Sequence, residues 1–307
     1  MTGARLVGAH APAAGGLAAA GLRYAAAVGA EVIQVFVSNP RGWAQSPDDA
    51  AQEATLREHL GRAGLPVFVH APYLINPGSP DPGLRHRSAQ ALAHSLRRGA
   101  RIGARGVVVH TGSATDGDRA AGLARVRQAL LPLLDGLGDH DPDILLEPTA
   151  GQGQNLCSDL GGLGAYLEAL DGHPRAGVCL DVCHLFAAGH DLAADGGAGR
   201  MLAEFEAVAA GRLRLVHAND SRDPCGSRRD RHEAIGRGQV GTAAFAALLA
   251  HPATAGVPFV VETSGGERGQ AADIAALRAL RDASAATATA TPTPAAYSGG
   301  PSPSSSW

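Results

Sequence analysis

Gly106-Val107-Val108-Val109-His110 is a short apolar run closed by a histidine, and Ile144-Leu145-Leu146-Glu147 repeats the form with a carboxylate at its end. Between them Ala120–Leu134 carries Ala, Leu and Arg at helical spacing. A β run without polar alternation suits a parallel strand covered on both faces. The same unit extends outward in both directions. Further apolar runs stand at Leu6–Ala9, Val32–Val37 and Val67–His70 on one side, and at Gly177–Asp181, Leu213–His217 and Pro258–Glu262 on the other. Leu17–Val28 and Ser88–Ile102 are further helical segments. Eight β/α units in about 280 residues fit a (β/α)8 TIM barrel. A doubly wound open sheet is the alternative. Its dinucleotide-binding form is weakened, because no G-x-G-x-x-G follows the first strand.

Composition narrows the chemistry. The 307 residues are 45% hydrophobic and 18% charged, enough for a buried core. No apolar run reaches the about 18 residues of a membrane span, and Met1–Arg5 leads into a strand-like run without the apolar stretch of a signal peptide. A cytoplasmic protein is expected. From Ser284 the chain turns to Ala/Thr repeats and then Pro and Ser, so residues 1–283 are read as one catalytic barrel and 284–307 as a disordered tail. All 26 basic residues are arginine. Without lysine, Schiff-base lyases and P-loop nucleotide hydrolases drop out. Cys157, Cys179, Cys183 and Cys225 form no C-x-x-C pair and read as small buried hydrophobes. A metal site must therefore lean on histidine and carboxylate.

The strand ends supply them. Seven of the eight runs close on a metal-binding residue type: His10, His70, His110, Glu147, Asp181, His217 and Glu262. Only the second run does not, leading into Ser38-Asn39-Pro40-Arg41. A single His or Asp at a strand end is ordinarily a cap or hydrogen-bonding residue, and His10 is held close to that reading. Independent caps would scatter among Ser, Thr, Asn and Gly; this set does not. In a (β/α)8 barrel the C-terminal strand ends share one face, where active sites sit. His184 follows Asp181 by three residues, and Asp230 and His232 would point the same way from an extended segment. His70, His110, Glu147, Asp181, His184, His217, Asp230, His232 and Glu262 exceed one ion's four or five positions and imply two or three ions. His59, His86, His94, His140, His173 and His251 read as surface residues, and His190 stays open.

At these residues the chain resembles the endonuclease IV family of metal-dependent apurinic/apyrimidinic endonucleases. The likeness runs from about Leu6 to at least Glu262. Gly8-Ala9-His10 with Ala13–Gly16 is similar to the family's opening motif, and His70-Ala71-Pro72-Tyr73-Leu74-Ile75-Asn76 to its tyrosine-leucine loop. Leu146–Gly153 is similar to its glutamate motif, and Asp181-Val182-Cys183-His184 to its D-T-C-H segment. His217–Arg222 with Gly226, Ser227 and Asp230–His232 fits its longest signature. Thr111, Pro148, Val182 and Pro12 depart from the usual residues, and none replaces a ligand.

The resemblance implies three zinc ions, with manganese as the alternative at some positions. Glu147 would bridge two ions, with His70 and His110 on one and Asp181, His217 and Glu262 on the other. His184, Asp230 and His232 would hold the third. Glu147 and Glu262 stand as catalytic. Arg41, Tyr73 and Leu74 would wedge into double-stranded DNA at an abasic site, and hydrolysis on its 5′ side would leave a 3′-hydroxyl and a 5′-deoxyribose phosphate. The enzyme is expected to act as a monomer, without a membrane. Net charge is −3, so a local cluster, Arg222, Arg228, Arg229, Arg231 and Arg237, is expected to supply the basic DNA face. A sugar isomerase or epimerase on a related barrel is the rival enzyme, though Asp230 and His232 are surplus to it. A silent damaged-DNA binder is the non-enzymatic rival.

Overall fold

Strands and helices alternate along the computed structural model, which describes residues 4–13, 15–47 and 49–290. The strands are β1 (Val7–Ala11), β2 (Ile33–Phe36), β3 (Val67–His70), β4 (Gly106–His110), β5 (Asp143–Glu147), β6 (Ala176–Asp181), β7 (Leu213–His217), the two-residue β8 (Asp220–Ser221) and β9 (His232–Glu233), and β10 (Phe259–Val261). The helices are α1 (Leu17–Val28), α2 (Ala50–Ala63), α3 (Pro82–Ile102), α4 (Arg119–Asp135), α5 (Leu160–Ala169), α6 (Val182–Ala188), α7 (Gly197–Ala209), α8 (Thr242–Ala250) and α9 (Gly266–Ala290). Eight of the strands close into a parallel barrel in the order β1-β10-β7-β6-β5-β4-β3-β2, the TIM barrel expected from the eight runs. Aspartates start many of the helices. Asp49, Asp81, Asp118, Asp159 and Asp181 each accept a backbone N–H in the first turn of α2 to α6, which satisfies a donor the helix cannot.

The period of two within each strand decides what faces inward. Val32, Phe68, Val108, Leu145, Cys179, Leu215 and Val260 form one buried layer inside the barrel. Two residues further along each strand stand Gln34, His70, His110, Glu147, Asp181, His217 and Glu262, on the same face and one layer nearer the C-terminal mouth. The intervening residues, such as Val107, Val109, Ile144 and Leu146, join the core under the helices. Burial on both faces is why the strands read as unbroken apolar runs. Closure leaves no spare room at Gly8, where a Cβ would lie 1.7 Å from the Val32 carbonyl oxygen.

The last helix clamps the seam. Glu31, in the turn before β2, accepts from Arg281 Nη1 at 2.7 Å and faces Arg278 Nη2 at 3.1 Å, tying α9 to the first β/α unit. Helix α9 runs to Ala290, so the boundary expected at Ser284 falls inside it, and Ser284 Oγ donates to the Leu280 carbonyl within the helix. The Ala-rich start of the low-complexity stretch has the propensity to carry the helix onward. The remainder of the expected disordered tail, 291–307, lies outside the described residues. His94 departs from its reading as a surface residue: it is buried with Ala91, Leu92 and Ser95 on the inner side of α3. No helix among the described residues is long and apolar enough to cross a membrane.

Candidate metal centre at the barrel mouth

Glu147 ends β5 at the centre of the site and is buried. Its two oxygens face different partners. Oε2 lies 3.2 Å from His70 Nε2 and 3.3 Å from His110 Nε2, while Oε1 lies 3.0 Å from His217 Nδ1 and 3.4 Å from His184 Nδ1. Backbone carbonyls orient two of these rings. His70 Nδ1–H donates to Ala71 at 2.7 Å and His184 Nδ1–H to Pro148 at 3.0 Å, leaving each Nε2 free to face the site. Asp181 has two jobs. Oδ1 caps α6 by accepting from His184 N at 2.8 Å, and Oδ2 turns inward, 3.8 Å from His217 and 3.7 Å from His232. The three-residue spacing of Asp181 and His184 is thus a strand end followed by a first helical turn.

Asp230 and His232 arrive on a hairpin. Strand β8 pairs antiparallel with β9, Ser221 opposite His232, and folds the segment back over the barrel mouth. Asp230 then lies 3.2 Å from His184 Nε2 and 3.0 Å from His232 Nε2, both from one extended stretch as the spacing predicts. A buried carboxylate organises this loop. Asp220 accepts backbone N–H bonds from Ser221, Gly236, Gly238 and Val240 at 2.8–3.1 Å, and from Gly241 at 3.4 Å.

The nine residues singled out in the sequence therefore meet in one network. Three further residues join it. Gln34, on the one strand that seemed to contribute nothing, accepts from His217 Nε2 at 2.9 Å and donates to Glu262 Oε1 at 2.7 Å. His10, read as an ordinary cap, lies 3.1 Å from Glu262 Oε1. Asn219 donates to Asp181 Oδ2 at 2.7 Å and to Glu262 Oε2 at 3.3 Å. Gln34 had a signal: it is the lone polar residue inside Val32–Val37, at the inward period. Asn219 lies within the His217–Arg222 signature stretch, but no local period or spacing gave it a role.

The donor set fits divalent cations. His70, His110 and Glu147 offer ligand atoms within 4.8 Å of one another; so do Glu147, Asp181 and His217, and so do His184, Asp230 and His232. Asp181, Cys183 and His232 meet the same limit. A set dominated by imidazole and carboxylate suits zinc or manganese.

Comparison with known proteins agrees with this geometry. Residues 22–280 match the family described as xylose isomerase-like TIM barrel. A probable endonuclease 4 from Streptomyces coelicolor is 55% identical over 279 residues, 90% of this chain and 95% of that protein. The crystal structure of endonuclease IV from Thermus thermophilus superposes with a TM-score of 0.80 at 30% identity, covering 91% of this chain and 99% of that one.

This chain belongs to the endonuclease 4 family.

A D-tagatose 3-epimerase-like protein also shares the fold, with a TM-score of 0.70 over 88% of this chain and 95% of that one, but at 18% identity the likeness is of fold alone. The charges of the site are strongly coupled. Burial alone would raise the Glu147 pKa, yet the charges of His217 and His110 overcome it and hold the carboxyl well below the usual range. Burial opposes charge on His184 too, but Asp181, Asp230 and Glu147 raise it to about 10, and Asp230 and Asp181 raise His232 to about 9. In the metal-free chain protons thus stand on imidazoles that a cation would need neutral. Cation uptake is expected to expel them, with affinity rising as pH rises. Calorimetry in two buffers of different ionisation enthalpy measures that release; identical apparent enthalpies would contradict it.

Around the rim of this family site, Tyr73 is 45% and Leu74 37% exposed, unusual for large apolar side chains here. The Tyr73 ring sits 5.3 Å from the His70 ring and 5.6 Å from the His110 ring, so it borders the candidate ligands. Arg41 is exposed on the neighbouring loop. The two loops touch where Tyr73 N donates to the Pro40 carbonyl at 3.0 Å. A cavity of about 280 Å³ opens between His70, Tyr73, His110, Glu147, Asp230 and His232. The arginine cluster is less free than its sequence suggests. Arg231 and Arg229 pair with Asp223, and Arg222 lies 3.3 Å from Glu233.

Proposed function

We propose that this chain is a DNA-repair endonuclease that hydrolyses the phosphodiester on the 5′ side of abasic sites in double-stranded DNA, leaving a 3′-hydroxyl and a 5′-deoxyribose phosphate. The observation that carries this reading is the split use of Glu147: each oxygen faces its own histidine pair, with a third donor group of His184, Asp230 and His232 alongside. That arrangement fits three ions, zinc favoured: His70 and His110 with Glu147 would hold one, Asp181, His217 and Glu262 with Glu147 a second, and His184, Asp230 and His232 the third. Such ions, when bound, activate water and neutralise the phosphate. The protein's own residues do the rest. Gln34 and Asn219 orient Glu262 and Asp181, and the carbonyls of Ala71 and Pro148 hold the His70 and His184 rings in place. Burial of Glu147, Asp181 and His217 strengthens the electrostatic interactions among them. An epimerase needs no Asp230/His232 pair at hairpin distance from His184.

Incubating the protein with an abasic-site duplex, with and without chelator, tests the activity. Nicking only at the abasic strand, lost with chelator and restored by zinc, is expected, along with about three ions per chain by elemental analysis. Active protein holding one ion or fewer would end the three-ion reading.

Tyr73, Leu74 and Arg41 are read as the DNA grip. An abasic nucleotide has no base to unstack, so a wedge that fills the gap costs little there. Tyr73→Ala and Arg41→Ala are each expected to weaken abasic-duplex binding about tenfold at unchanged metal content, the scale of a stacked aromatic for Tyr73 and of one charge-assisted hydrogen bond for Arg41. Affinity that holds while metal is lost would make these residues supports of the site instead.

A further inference from the structure

Between β2 and α2 the chain makes a surface loop that carries Arg41. A cavity of about 880 Å³ lies under it, lined by Val37, Asn39, Pro40, Ser46, Pro47 and Arg98 among others. The two ends of the loop meet at one side chain. Arg98, on α3 and only 5% exposed, donates from Nη1 to the carbonyls of Val37 at 3.2 Å, Pro47 at 3.4 Å and Ser46 at 3.5 Å. Its Nε pairs with the carboxylate of Glu53, buried in the first turn of α2. Arg101 Nη1 approaches the other Glu53 oxygen at 3.4 Å.

A buried ion pair is a poor device for stability as such, because desolvation offsets most of the attraction. What a guanidinium does well is hold several acceptors at fixed angles. Here those acceptors are the start of the loop, its end, and the helix that follows. Trp43 packs against the core with the Arg87 guanidinium 5.6 Å from its ring, which holds the middle of the loop, while Arg98 holds its two ends. The effect reaches the catalytic face, since Pro40 accepts from Tyr73 N and Asn39 Oδ1 accepts from Arg41 N at 3.0 Å.

We infer that Arg98 is a positioning residue that, by clamping both ends of the loop, presets Arg41 for DNA. This rests on the reading of Arg41 as a DNA contact, and the test separates the two. Arg98→Lys keeps a cation for Glu53 but cannot serve four acceptors with a planar fork. A second variant, Arg98→Met with Glu53→Met, removes both charges and leaves neither buried alone. In each, trypsin is expected to cut after Arg41 about tenfold faster at unchanged melting behaviour of the barrel, since local opening sets that rate. KM for an abasic duplex is expected to rise about tenfold with kcat and metal content within twofold of wild type. Adding Arg41→Ala to Arg98→Lys should cost little more, since both changes remove the same preset contact.

Unchanged digestion in both variants would overturn the clamp whatever Arg41 does. Faster digestion with an unchanged KM, while Arg41→Ala alone raises KM, would overturn the link between clamp and grip. Additive effects in the double variant would reduce Arg98 to a structural residue. If Arg41→Ala alone leaves affinity unchanged, the DNA reading of Arg41 fails and the inference falls with it.

Discussion

Glu147→Gln is expected to lower abasic-site cleavage by about a thousandfold or more, the scale of losing a central electrostatic element of a catalytic site. Gln has nearly the same shape, so the change is of charge and of one acceptor. The amide would set an NH2 group against either His70 and His110 or His217 and His184, each within 3.0–3.4 Å of a Glu147 oxygen. The cations proposed to share this carboxylate would lose it together, so metal content should fall with activity. The fold should hold, because the barrel core one layer down, Leu145 and its neighbours, does not depend on the carboxylate. Elemental analysis, circular dichroism and single-turnover nicking on the same preparation read these three quantities. Nicking within tenfold of wild type would remove Glu147 from the centre of the mechanism.

Asp220→Asn should cost stability as well as activity. Asp220 touches none of the proposed ligands, but its carboxylate accepts five backbone N–H groups and is fully buried. The loop backbone packs close around it: a Cβ at Gly238 would lie only 2.4 Å from Asp220 Oδ1. An amide group turns one end of that cradle into donor facing donor. The loss of several buried hydrogen bonds at about 1–3 kcal/mol each predicts a melting point lower by on the order of 10 °C. The hairpin of β8 and β9 would loosen, and with it Asp230 and His232. Retained cleavage and a melting point within about 2 °C of wild type would show that the loop is held by other means.

Most of the site was legible because its residues obey a local rule. A strand buried on both faces is apolar until its C-terminal end, so His70, His110, Glu147, Asp181 and His217 stand out as the first polar residue after each run. The alternation β/α repeated eight times then implied the barrel, and the barrel implied that those ends converge. His184 was legible for the same kind of reason, lying one helical turn past a capping aspartate.

What the chain does not announce locally was decided by closure. His10 and Gln34 look like a cap and a stray polar residue until β1 and β2 close the barrel, which sets them against Glu262 and His217. His94 looks solvent-facing until α3 packs its inner face. The arginines of 221–237 look like a free basic patch until the hairpin folds Asp223 and Glu233 among them. Arg98 looks like one helix charge among many until the loop before α2 bends both of its ends onto it. In each case the partner lies far along the chain. Periodicity and capping act over a few residues, so the strands, the barrel and the ligand types could be read from the chain. Which side chains share a proton, a carboxylate or a carbonyl depends on through-space distance, and only the closed tertiary structure sets that.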